Sequence, residues 1–213
     1  MPVSHHPANP AARRRFLVYA GAAAAALGCA ASAIRAQTPL IPTPAMTEGP
    51  FYPESFTKEP LSQLVRGALQ GNAISLALEG RILDRFGKPV EGARVEIWQC
   101  DGIGRYHHSR DGDAKDRDPN FAGIGWVKTG ADGVYAFNTI RPVFYPGRTP
   151  HIHFAVKALK HQPLITQMFV DGEAQNQGDG IYARLSRTQR ALVTAKIEGA
   201  ANRQQARFDL ILS

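Results

Sequence analysis

The chain has 213 residues and a formal net charge of +7, from 25 Lys and Arg against 18 Asp and Glu. Four of the cations, Arg13, Arg14, Arg15 and Arg35, fall in the first 36 residues, which contain no Asp or Glu, and the remainder carries 21 against 18, or +3. With no Lys/Arg run in that remainder, there is no electrostatic reason to bind nucleic acid, and the length suits one domain with a hydrophobic core.

Residues 1–36 read as an address. Arg13-Arg14-Arg15-Phe16-Leu17 precedes an uncharged, Ala-rich run from Phe16 to Ala33, followed by small residues around Arg35. This is the charged, apolar and small-residue order of a bacterial signal peptide, and the paired arginines give it a twin-arginine character. The mature protein is therefore expected to be exported, periplasmic or secreted, without stable membrane insertion. As a membrane anchor the run is barely long enough to span and is mostly alanine. Cys29, in Ala-Leu-Gly-Cys, admits lipid anchoring as an alternative. Cleavage near Ala36 leaves Cys100 as the one cysteine, so no internal disulfide is expected.

Residues 37–46 form an expected linker, because Pro39, Pro42 and Pro44 resist both helix and central strand. The folded domain is assigned to 47–213. Ile74, Leu76, Leu78 and Ile82 alternate with Ser75, Glu79 and Arg81, the period of a half-buried strand. Further strands are expected at Arg94–Gln99, Gly125–Thr129, Val134–Asn138, His151–Lys157, Leu164–Val170 and Arg207–Leu212. Turn signals such as Asp132-Gly133 and Tyr145-Pro146-Gly147 separate them. Helices are expected only at Glu59–Leu69, Gly180–Leu185 and Thr188–Lys196. The fold class is thus all-β, an antiparallel β-sandwich core with long loops and a few short helices.

Chemistry concentrates in Pro150-His151-Ile152-His153-Phe154-Ala155-Val156. On a strand, His151 and His153 share one face, while Ile152, Phe154 and Val156 share the other. Such a pair alone is read equally well as two polar residues on a solvated face or as half of a metal site. No carboxylate follows shortly after His153, as a cupin-like barrel would require, and one cysteine cannot build a zinc-thiolate site. Tyr106 and Tyr145 lie on loops at strand ends, where sites are built, although each taken singly reads more simply as a packed ring. Phenolate oxygen suits a hard, high-valent cation, and two phenolates, two neutral imidazoles and a hydroxide would neutralise Fe(III).

Several segments resemble the intradiol ring-cleavage dioxygenases, particularly the protocatechuate 3,4-dioxygenase type. They are Thr-Glu-Gly-Pro-Phe-Tyr-Pro from Thr47, Gly-Ala-Arg-Val-Glu-Ile-Trp-Gln from Gly92, Gly104-Arg105-Tyr106, Asp118-Pro119-Asn120-Phe121, Tyr145-Pro146, Arg-Thr-Pro-His-Ile-His-Phe from Arg148, and Leu164-Ile165-Thr166-Gln167. The resemblance implies a mononuclear non-haem Fe(III) held by Tyr106, Tyr145, His151 and His153, with a catechol-type substrate and O2 as partners. It also implies that Tyr145 leaves the metal to take a substrate proton, that Arg148 stabilises a negative ring intermediate, and that Gln167 lies near the substrate. Thr47, Gly49 and Pro50 match a segment beside the substrate pocket. The interval from Tyr145 to His151 is shorter than in protocatechuate enzymes, which leaves the preferred catechol open. All four implied ligands lie on this one chain, so a homo-oligomer is compatible with function.

A rival class is a non-enzymatic transthyretin-like binding module. Gly87-Lys-Pro-Val-Glu-Gly-Ala-Arg-Val and Thr129-Gly-Ala-Asp-Gly-Val-Tyr-Ala-Phe suit it equally well, because they report the sandwich and not the site. An exported zinc or copper enzyme of the same fold is a third reading. His107 and His108 are expected to be loop or supporting residues, since neighbouring side chains diverge. Asp111 to Asp118 lacks the glycine and distal glutamate of a calcium loop and reads as a solvated turn. Cys100 is expected to be a small buried residue.

Overall fold

Alternation shapes the first long strand. In β1, Ser75–Leu83, the buried Leu76, Leu78, Gly80 and Ile82 interleave with exposed Ala77, Glu79 and Arg81. The computed structural model describes residues 38–213. The segment read as a signal peptide, with Cys29, lies outside the described residues. The other strands in chain order are β2 (Arg94–Trp98), β3 (Ile124–Lys128), β4 (Val134–Ile140), β5 (His151–Lys157), β6 (Leu164–Val170), β7 (Thr194–Ala195), β8 (Ile197–Ala200), β9 (Arg203–Arg207) and β10 (Leu210–Ile211).

Two five-stranded sheets form the sandwich. In the first, β1 pairs with β4 along one edge and with β9 and then β10 along the other, and β8 extends β9. The second runs β3-β2-β5-β6-β7. Most pairings are antiparallel, as expected, but β1 meets β9 and β10 in parallel and β6 meets β7 in parallel, so both sheets are mixed. Between the sheets lies one core, with Leu76, Leu78 and Phe137 from one side and Val95, Ile97, Ile152, Phe154 and Met168 from the other. Each large apolar side chain removed from water there contributes about 2 kcal/mol.

Gly80 shows why a strand interior tolerates glycine. A Cβ at this position would stand 1.9 Å from the carbonyl oxygen of Phe208. At that point β9 gives way to β10 along the edge of β1, where the Phe208 N–H donates to the Glu79 carbonyl (2.8 Å) and the Tyr135 hydroxyl donates to the Phe208 carbonyl. The strand expected at Arg207–Leu212 is broken at Phe208–Asp209 into the last residue of β9 and the two-residue β10, and the strands over 197–206 are not among those expected.

The helix expected at Glu59–Leu69 is instead an extended strap. Its backbone groups bond to other elements: Leu61 N–H to Trp126 O (2.9 Å), Leu64 N–H to Asn138 O (2.8 Å) and Arg66 N–H to Asn120 O (2.7 Å). Leu61, Leu64, Val65 and Leu69 have helical spacing, yet tertiary pairing overrides that local signal and buries Leu64 completely. The helix expected at Gly180–Leu185 shrinks to a 3-10 turn at Tyr182–Arg184. The third expected helix, Thr188–Lys196, is α1, Arg187–Val193, opened by a capping box in which the Ser186 hydroxyl accepts from the Gln189 N–H. It stops at Thr194, where the backbone joins β6 as β7.

Candidate metal centre

The outer face of the second sheet carries the polar chemistry. Register places Trp98 beside His153, and Gln167 beside it on the other side, with Phe169 beside His151. This face is covered by the chain around 43–57 and by the loops 99–123, 141–150 and 171–186. His151 and His153 are each 2% exposed. Ile152, Phe154 and Val156 enter the sandwich core, as the alternation predicts.

The imidazoles converge. His151 Nδ1 lies 2.6 Å from the carbonyl oxygen of Thr149, an atom that can only accept, so Nδ1 carries the proton and Nε2 the lone pair. That Nε2 stands 3.1 Å from His153 Nε2 and 3.4 Å from the Tyr106 hydroxyl. Tyr145 completes the group, its ring edge-on to Tyr106 with centroids 5.5 Å apart and 5.7 Å from the His151 ring.

Aromatic packing fixes these rings. Trp98 stacks on His153 at 4.8 Å and 11°, and Tyr52 meets Trp98 edge-on at 5.0 Å. Phe51 stacks on Tyr106 at 4.8 Å. Asp111 accepts from the Tyr106 N–H (2.6 Å), and Asp101 accepts from the Arg105 N–H (2.8 Å), so aspartates shape the loop that presents Tyr106. Gly49 takes a positive φ of 75°, and a Cβ there would lie 3.4 Å from His153 Cε1. The backbone near Gly49 thus passes directly against the imidazole. Pro50 is exposed, and its carbonyl accepts from the Arg110 guanidinium.

Arg148 and Gln167 adjoin the same group. Arg148 Nε donates to Asp179 Oδ2 (2.7 Å) and its Nη2 donates to Gln167 Oε1 (2.6 Å). Gln167 Nε2 in turn donates to the Thr47 carbonyl (3.1 Å).

Ionisation follows from burial. Desolvation, with Arg148 nearby, lowers the His151 pKa to about 4, and desolvation beside His151 and Arg148 lowers that of His153 well below its usual range. Both imidazoles are neutral donors at pH 7. Burial raises the Tyr106 phenol well above 10, and Tyr145 is raised by burial against the opposing pull of Arg148. Burial also pushes the Cys100 thiol up to about 12, so it stays protonated.

This donor set fits a hard cation. Two nitrogens bound side by side at about 2.1 Å to one ion stand about 3 Å apart, close to the spacing of the two Nε2 atoms. Among the described residues no three His, Cys, Asp or Glu side chains gather, so a cation here would draw its other protein donors from the two phenols. His107 does not join the group and packs edge-on to Phe121. His108 Nδ1 accepts from the Arg110 N–H (3.1 Å) and its ring lies against Phe51.

The family model described as "Dioxygenase" matches residues 47–213. The chain belongs to the dioxygenase family. It is 33% identical over 159 residues to the hydroxyquinol 1,2-dioxygenase of Corynebacterium glutamicum, covering 66% of this chain and 50% of that protein. It is 40% identical over 115 residues to the protocatechuate 3,4-dioxygenase beta chain of Burkholderia cepacia, covering 50% of this chain and 49% of that one. The chain therefore spans about half the length of the curated relatives it matches. Among solved structures, the dioxygenase domain of a dioxygenase–carbohydrate-binding fusion from Streptomyces sp. SirexAA-E superposes with a TM-score of 0.66 at 30% identity, over 81% of this chain and 99% of that one.

Sequence reading of this dioxygenase-family chain missed Asp179, Trp98 and Phe51. Trp98 and Phe51 lay inside quoted motifs, yet a packing partner is named only by register and by the path of the chain. Asp179 lies 28 residues from His151 in sequence, and nothing local marks it.

Proposed function

We propose that this chain is a mononuclear, non-haem iron(III) dioxygenase that cleaves a catechol-type ring between its two hydroxylated carbons with O2, giving a muconic-acid-type product. The observation that carries the reading is the convergence of the two imidazole Nε2 atoms, 3.1 Å apart, with the Tyr106 hydroxyl 3.4 Å from that of His151. Tyr106, Tyr145, His151 and His153 would hold the iron. Bound ferric iron supplies a Lewis acid that orients both oxygens of an ortho-diol and draws electron density from the ring. The names of the hydroxyquinol and protocatechuate relatives support an ortho-diol substrate.

The chain's own residues divide the remaining work. Tyr106, His151 and His153 are almost fully buried and stay in place, whereas Tyr145 is half-buried at the mouth. Tyr145, as the phenolate it would be when holding the iron, is the ring free to swing out and take a catechol proton at Oη, becoming the neutral phenol. Arg148, permanently charged and aimed by two hydrogen bonds, stabilises negative charge that develops on the ring. Gln167 presents its amide beside the substrate, and Gly49 leaves open the space next to His153 that a side chain would fill. Trp98 and Phe51 shield the donors from water on their outer sides.

The arginine-led segment 1–36 supports export to the periplasm or beyond, and the presence of all four donors on one chain supports a homo-oligomer as the working form. A transthyretin-like binding module has no use for this donor set. The test is oxygen uptake by iron-loaded protein with catechol, hydroxyquinol and protocatechuate under 18O2. Intradiol cleavage predicts one O2 consumed per substrate and both labelled oxygens in a diacid. A semialdehyde product, or no uptake with any ortho-diol, would contradict it.

A further inference from the structure

Asp179 sits beneath the site with its side chain fully shielded from solvent. One carboxylate oxygen, Oδ1, accepts from the N–H groups of Ile181 and Tyr182, each at 2.9 Å. The other, Oδ2, accepts from Arg148 Nε at 2.7 Å and from the Thr149 N–H at 3.1 Å. All four lone-pair positions are used, and among the described residues Arg148 is the one cation paired with the buried charge.

Both contacts of Oδ2 lead into the site. Thr149, held at its N–H by Oδ2, turns the carbonyl of its following peptide unit to His151 Nδ1 at 2.6 Å, which sets the tautomer and leaves Nε2 facing His153. Thr149 is held a second time when its hydroxyl donates to Asn176 Oδ1 (2.8 Å), and Asn176 Nδ2 donates to the Val170 carbonyl (2.9 Å). The Arg148 guanidinium, gripped at Nε, extends Nη2 to Gln167. We propose that Asp179 is a positioning residue that sets the His151 imidazole and the Arg148 guanidinium with a single carboxylate, so that metal ligation and charge stabilisation share one register. The catalytic part of this proposal rests on the dioxygenase reading; the positioning of His151 does not.

Asp179→Asn tests it sharply. An amide with its NH2 toward Arg148 and the Thr149 N–H loses both Oδ2 contacts, and one turned the other way sets its NH2 against the Ile181 and Tyr182 N–H groups, which pushes the side chain off its Arg148 and Thr149 donors as well. In the metal-free protein, nitrogen NMR of the imidazoles should show His151 as a single Nδ1–H tautomer in the wild type and as a mixture in D179N. In the iron-loaded protein, D179N should lower kcat about 10- to 100-fold with little change in KM. Adding D179N to Arg148→Ala should then cost less than about threefold more than R148A alone, because the guanidinium that Asp179 places is already gone. An unchanged His151 tautomer, or D179N and R148A costs that multiply in full, would overturn the proposal.

If D179N does not fold, Asp179→Glu decides the matter. It keeps the charge but moves the carboxylate by one methylene, so positioning predicts a kcat loss of about tenfold or more. Wild-type kcat in D179E would show that charge alone suffices and overturn the proposal. A wild type that binds no iron or cleaves no ortho-diol would remove the dioxygenase reading, while the tautomer comparison would still stand or fall on its own result.

Discussion

The two faces of β5 are both buried, yet they are stabilised in different ways. Ile152, Phe154 and Val156 enter a core where any side chain of suitable shape and polarity would serve, and burial itself is the gain. His151 and His153, on the other face, are equally hidden but carry polar nitrogens whose burial costs free energy unless each finds a partner. His151 Nδ1 has the Thr149 carbonyl, whereas His153 Nδ1 and Trp98 Nε1 have no partner among the described residues. One strand therefore has a face chosen for stability and a face that spends stability to hold donors in place. That contrast locates function without reference to any relative.

Breaking the donor face should have the largest functional effect. His153→Ala and Tyr106→Phe should each reduce bound iron below about a tenth of one per chain and remove measurable turnover, as loss of a direct ligand does. Metal analysis alongside thermal unfolding checks this, and the metal-free fold should survive. Breaking the core face should give the reverse pattern. Phe154→Ala leaves every donor in place but should cost about 3–5 kcal/mol in denaturant unfolding through the cavity it opens.

Arg148→Ala sharpens the division within the site, since the guanidinium stands beside Tyr145 without being one of the proposed ligands. Iron should be retained while kcat falls about 10²- to 10³-fold, the size of effect expected when a charge stabiliser is lost. Smallest is the response of the metal-free protein to acid. His151 accepts a proton only near pH 4 when folded, against 6.5 when unfolded, so between those values the unfolded chain binds more protons. Stability should be constant above about pH 6.5 and fall by about 3 kcal/mol as pH drops to 4, with His153 adding in the same direction. Urea midpoints across that range check the sign, and a rise toward low pH would contradict it.

Period-2 patterns made much of the sandwich legible. Leu164–Val170 and His151–Lys157 were read to the residue, because apolar alternation and the flanking turns agree there. The strap at 59–69 was not legible, since its apolar spacing is helical and only distant carbonyls on β3, β4 and the Asn120 loop show that its backbone is bonded elsewhere. For the site, His-x-His on a strand announces a shared face from geometry alone, while the two tyrosines were singled out by loop position and by family resemblance. Asp179 and Trp98 escaped because their roles exist only after folding, one through four hydrogen bonds and the other through a stacked ring. Direct donors leave local signatures, whereas the groups that aim them are recruited from wherever the chain passes.

The most direct test of ligation by Tyr106 and Tyr145 is the visible absorption spectrum of the purified, iron-loaded protein, recorded before and after anaerobic addition of catechol. Two phenolates on ferric iron predict a red-brown tyrosinate-to-iron charge-transfer band that shifts when the diol binds. A colourless protein containing stoichiometric zinc, or one that takes up no metal, would contradict the iron centre and with it the proposed ring cleavage.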